Sequence, residues 1–206
     1  MMSGLIYKEV CMFKSQFKNW IYAILILGVY GIVFKTLSML FMLVALVGVM
    51  SCITTFTYDR QYRCDEYVAA MPVSRKKIVV SKYIFLLLVD LMMTVVTIIL
   101  VVAVAPFLKE DILSALGAVM GVLAVTILLQ ILVLPLLYAW GPEKARFAFL
   151  IIGILPYMLV MLNKDRLPDI TPQTVLHILQ ASPFILAVAA GISLLVSIGL
   201  YKKKDL

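Results

Sequence analysis

The feature that most constrains this chain is the length of its apolar stretches. Six apolar runs, over 20–34, 36–57, 83–108, 112–140, 146–162 and 183–201, are separated by short polar segments. Crossing a bilayer takes about 20 apolar residues in a helix. Inside hydrocarbon every backbone N–H and C=O must be satisfied within the segment, which for single runs of this length means α-helix. With 64% of the residues hydrophobic and 14% charged, a soluble globular domain is excluded. The expected fold is an all-α polytopic membrane protein, a single transmembrane domain of six spans. The first run is short and crosses only with help from its flanks or from bilayer thinning. The fourth is over-long and contains Pro135, where a tilt, kink or break is expected.

A net charge of +7 would suggest nucleic acid in a soluble chain; here its placement matters more. With the amino terminus inside, the inner segments hold 14 of the 18 basic residues and net +8, whereas the outer segments net zero; Asp90, within a span, completes the total. The positive-inside rule then puts both termini in the cytoplasm of a cell-membrane protein with no nucleic-acid partner.

The first 19 residues carry Ile6, Val10, Phe13 and Phe17, continued by Trp20, at helical spacing, with Lys8, Lys14 and Lys18 elsewhere on the turn. This describes an amphipathic elbow helix in the inner headgroup layer, meeting the first span at a sharp bend near Asn19 and Trp20. No short apolar core with a small-residue cleavage site follows, so a removable signal peptide is not expected. On the outer side, the 163–182 segment has Thr171 as an N-cap, Pro172 at the first helical position and a stripe of Val175, Leu176, Ile178 and Leu179, which predicts a short outer helix.

Catalytic and metal-binding patterns are missing. There is no GxxxxGK[ST] loop, GxSxG or HExxH; His177 stands alone; Cys11, Cys52 and Cys64 form no CxxC. No metal and no cofactor is expected on this chain. Gly117 and Gly121 form a GxxxG in the fourth run, a pattern suited to close helix packing within the subunit. Asp90 is the one carboxylate well inside a span. It reads as a structural or cavity-lining group reached by Lys82 or Arg146, with a proton relay as the alternative.

The inner connection, 58–82, is the most informative stretch. Asp65, Glu66, Tyr67, Val68, Ala69, Ala70 and Met71 have helical character with acids at the start, and Pro72 ends the segment. Ser74 then caps a second helix, whose Arg75, Lys76 and Lys77 sit at headgroup level before the third span. A short helix held between an exiting and a re-entering chain can pass a push from a soluble partner to two spans.

The stretch DEYVAAMPVSRKKIVVSKY resembles the region after the second span in small permeases of the ABC-2 type, where an acidic helix leads into (L/M)P(V/I)SRKxIVxSKY. The match runs from Met71 and Pro72 through Ser74, Arg75, Lys76 and Lys77 to Ser81, Lys82 and Tyr83. The elbow, the six spans and the outer helix agree with that family along the whole chain. The resemblance implies a coupling helix, Asp65, Glu66, Tyr67, Val68 and Met71, with Pro72, Arg75 and Lys76 on its return, docking on a separately encoded ATPase that carries ATP and Mg. It implies pairing with a second copy or a paralogue. Small members with this motif include exporters of amphipathic cytolytic or antimicrobial peptides. Family position also nominates a translocation path on spans two and five, at Met42, Val49, Phe56, Phe149 and Tyr157 beside Asp90. Two other function classes remain: a proton-coupled carrier centred on Asp90, and a non-transporting scaffold or immunity protein that sequesters a peptide.

Overall fold

A computed structural model describes residues 2–34, 37–69, 73–108, 111–162 and 172–202. All regular structure among them is helical: α1 (Met2–Val33), α2 (Ser38–Gln61), α3 (Cys64–Ala69), α4 (Arg75–Leu108), α5 (Ile112–Leu162) and α6 (Pro172–Lys202). Four stretches are long and apolar enough to cross a membrane, Leu40–Gln61, Arg75–Pro106, Ile112–Ala145 and Phe184–Tyr201, and Trp20–Gly31 is a shorter apolar helix. The all-α polytopic architecture read from the apolar runs is therefore present.

The central helix is α2, which packs on α1, α4 and α5, while α6 lies outside against α4 and α5. Two apolar clusters fill the bundle. One gathers Leu37, Leu40 and Leu43 of α2, Val101 and Ala105 of α4, and Ala115 and Val119 of α5. The other, at the end where 58–82 lies, joins Leu5 and Trp20 of α1 to Phe56, Val79, Phe85, Leu137, Tyr138 and Tyr201. Without water in the core, helices meet through packing and a few polar bonds. One such set ties α6 in place: the Tyr83 hydroxyl lies 2.8 Å from Ser193 Oγ and 2.9 Å from Ser197 Oγ, and Ser193 Oγ donates to the Ile131 carbonyl at 2.7 Å.

Three local expectations change. The amino-terminal helix does not bend near Asn19 and Trp20; α1 runs through them without a break. Its protein-facing residues are Leu5, Glu9 and Trp20, with Phe13 partly buried against Phe85 at 6.0 Å between ring centroids. This stripe rests on the other helices, and Val10, assigned to the membrane-facing side, is exposed. The break in α5 falls at Gly141 (φ 78°, ψ 172°), six residues past Pro135, which stays inside the helix. Finally, the outer helix starts at Pro172 but runs on into the last apolar stretch as one helix; Thr171 lies outside the described residues.

Gly117 also departs from its expected role. A β-carbon there would meet nothing within 4 Å, so Gly117 sits on the bundle surface and mediates no close approach within the chain. The close approach occurs at Gly48 instead. A β-carbon on Gly48 would overlap Asp90 Oδ1 and lie 2.6 Å from Thr126 Cγ2, where α2, α4 and α5 cross.

Candidate functional site

At its base, the 58–82 connection is closed by charge. The last turn of α2 brings in Asp59, and Arg63, the one described non-glycine residue with positive φ (50°), turns the chain into α3. Ser74 starts α4, its carbonyl accepting from the amides of Lys77 and Ile78, and two turns later Lys82 points back at α2. Lys82 Nζ donates to Asp59 Oδ2, tying the two ends of the connection. From α1, Lys8 Nζ lies 2.7 Å from Asp59 Oδ1 and 3.1 Å from Glu9 Oε1, while Lys82 Nζ is 3.6 Å from Glu9 Oε1. Glu9, Asp59 and Lys82 are each at most 3% exposed. Lys82 also stands 4.3 Å above the Phe56 ring, a cation–π contact.

Two cations and two anions thus meet where three helices converge. Desolvating each is expensive, and only mutual pairing with good geometry offsets it. Sequence reading missed this cluster, although two signals were visible. Asp59 and Lys82 carry opposite charges just beyond the facing ends of consecutive spans. Glu9 stands four residues from both Leu5 and Phe13, in line with the stripe that packs inward.

The coupling-helix candidates separate into two faces. Tyr67 is 71% exposed and points away from the bundle. Val68 is buried in the cluster that also holds Ile78 and Val79, so it anchors α3 and is not open to a partner, contrary to its assignment as a contact residue. Asp65 and Glu66 lie on α3, but their side chains fall outside the described residues, as do Met71 and Pro72 altogether. Arg75 and Lys76 are both exposed, and Arg75 also reaches toward α6, its Nη1 lying 3.5 Å from the Tyr201 carbonyl.

The path candidates do not line one surface. Met42 is 53% exposed on the outside of α2, while Val49 and Phe56 are buried in the bundle. Phe149 and Tyr157 lie on α5 with side chains outside the described residues. Asp90 is buried, and its Oδ1 accepts from Gln130 Nε2 at 3.0 Å. Lys82, one of the two basic residues expected to reach Asp90, is instead committed to the Asp59 and Glu9 cluster. The reason is position: Lys82 lies at the end of the span, two turns from Asp90, where opposite charges from α1 and α2 are nearer.

Of the six path candidates, Phe56 borders a cavity. About 280 Å³ in volume, it opens beside the ionic cluster between Phe56, Asp59, Arg60, Lys82, Tyr138 and Tyr201. Its aromatic wall is edge-to-face, with Phe56 and Tyr138 centroids 4.8 Å apart and Tyr138 and Tyr201 5.6 Å apart. The Gly141 break forms its far side, where Arg60 pairs with Glu143 at 3.6 Å. Among the described residues, no group of three or more His, Cys, Asp or Glu is placed to hold a metal ion.

Helices long enough to span, with a short helix slung between two of them on a charge-closed base, define a multi-pass membrane protein. The family model for ABC-2 family transporter proteins matches residues 4–202, nearly the whole chain, and the chain belongs to that family. Permeases of this family are membrane components without an ATPase site of their own and work with a separate ATP-binding subunit. Neither a curated protein nor a solved structure matches the chain.

Proposed function

We propose that this chain is the permease subunit of an ATP-driven exporter in the cell membrane, with both termini in the cytoplasm and six spans. Its partners are a separately encoded ATPase, which binds ATP and Mg, and a second permease, identical or paralogous. The observation that carries this reading is the 58–82 connection: α3 is held at the bundle end, Val68 facing inward and Tyr67 outward, with its two supporting helices tied at their feet by Lys82 and Asp59. An outward residue on a firmly footed short helix suits docking to a soluble ATPase. Asp65, Glu66, Tyr67, Met71 and Pro72, with Arg75 and Lys76 on the return, supply that contact; Val68 holds the element to the bundle.

Amphipathic peptides of the cytolytic or antimicrobial kind are the cargo we assign. Supporting this are the resemblance of the Met71 to Tyr83 segment to exporters of such peptides and an apolar interior with aromatic side chains at the loop end. Tyr67→Asp and Glu66→Arg should abolish co-purification with the ATPase while leaving the permease folded in detergent. Retained association in both would overturn the docking assignment. ATP-dependent uptake of a labelled amphipathic helical peptide into inside-out vesicles tests the cargo. Peptide flux driven by a pH gradient without nucleotide would instead favour the Asp90 carrier reading.

A further inference from the structure

The ionic cluster has more pairing capacity than it uses. Lys82 Nζ bonds Asp59 yet lies only 3.6 Å from Glu9 Oε1. The second oxygen of Glu9, Oε2, is buried and has no hydrogen-bond partner among the described residues. Lys8 already straddles both acids, at 2.7 Å from Asp59 and 3.1 Å from Glu9. A small movement of the Lys82 ammonium from Asp59 to Glu9 would exchange an α2–α4 tie for an α1–α4 tie. Net buried charge stays zero, and Lys8, being partly exposed, keeps Asp59 neutralised. Two pairing positions a short movement apart in a packed site make a bistable element, which an external force can bias.

From this geometry we infer that Lys82 is a two-position ammonium, and that Glu9 and Lys8 make the amino-terminal helix a positioning element for the 58–82 connection. In one state α4 is fastened to α2 and the feet of the connection are closed. In the other α4 is fastened to α1 and the feet part. This inference rests on the coupling reading for its physiological trigger, but the exchange itself is a property of the isolated chain.

Spin-label distances on the full chain in lipid nanodiscs test it. Labels go on native Cys11 in α1 and on exposed positions in α2 and α4, as Gln61→Cys and Lys77→Cys, with Cys64→Ser removing the competing thiol; Cys52 is buried. Asp59→Asn should drive Lys82 to Glu9, shortening the α1–α4 distance and lengthening the α2–α4 distance by about 1–2 Å. Unchanged distances in the folded variant would overturn the exchange whether or not any ATPase binds. In the assembled complex, a non-hydrolysable ATP analogue should produce the same shift in the parent chain. Glu9→Gln should abolish that shift while ATPase association persists. The double variant Lys8→Gln with Glu9→Gln keeps the cluster neutral and should also lack it. A shift restored in the double variant would mean that charge imbalance, not the missing second position, blocked it, and would sink the inference. Failure of the ATPase to associate at all bears on the docking assignment, leaving the Asp59→Asn arm to decide this one.

Discussion

At position 48 the helices approach so closely that a methyl group has no room, because the space a β-carbon would fill belongs to Asp90, Thr126 and Gln130. Gly48→Ala should therefore destabilise by about 1–3 kcal/mol through overpacking. Gly117→Ala meets open space and should be neutral or stabilise by up to about 1 kcal/mol through helix propensity. Thermal unfolding in detergent micelles separates the two, and equal effects would contradict the packing described. Lys82→Met leaves two buried carboxylates, Asp59 and Glu9, to share the single ammonium of Lys8, and the uncompensated buried charge should cost about 3–5 kcal/mol. Most of that should return in Lys82→Met with Asp59→Leu, which leaves Lys8 and Glu9 as a pair. Both glycines of the GxxxG were visible in the sequence, and Gly48 was equally visible but carried no pattern. What distinguishes position 48 is the neighbour across the helix crossing, and that comes from residues 40 and more positions away.

Among the elements, α5 shows how local chemistry decides where a long helix breaks. Pro135 removes one donor but keeps a helical φ, and neighbouring groups in a membrane bundle absorb the loss. Gly141 adopts φ 78° and ψ 172°, a region open almost solely to glycine, and Pro142 follows with no N–H to continue the ladder. Gly141→Ala should therefore cost about 1–3 kcal/mol in unfolding experiments, whereas Pro135→Ala should leave stability nearly unchanged. The ends of the helices were legible because Ser74, Pro172 and the polar stretches mark them. The continuity of α1 was not, since Asn19 suits a helix interior poorly but does not forbid it. Nor was the face of α1 that packs: the apolar spacing admitted a lipid-facing stripe, and Glu9 on the inward side makes sense only once Lys82 and Lys8 are brought beside it.

For the molecule as a whole, the three cysteines report topology. Cys11 is exposed, Cys52 buried and Cys64 between them. If the basic end faces the cytoplasm, a membrane-impermeant maleimide should label Cys11 in inside-out vesicles and not in right-side-out ones; the reverse pattern would invert the proposed topology. Cys52 should react only after unfolding. Partial burial, then the charge of Asp59, push the Cys64 thiol above its ordinary range, so less of it is thiolate at neutral pH. Its alkylation should be slower than that of a free small-molecule thiol and should go on rising with pH after the free thiol has levelled off. The membrane class and the family were readable from composition and one motif, because both signals lie in local sequence. The ionic cluster joins residues 51 and 23 positions apart and depends on the assembled bundle. The manner in which α6 is fastened has a consequence for biogenesis. Translation delivers α6 after α4 and α5, and until it arrives the hydroxyl of Tyr83 and the carbonyl of Ile131 have no serine to meet. A nascent chain halted before Ser193 would present those groups to lipid, so the arrival of α6 closes this polar set.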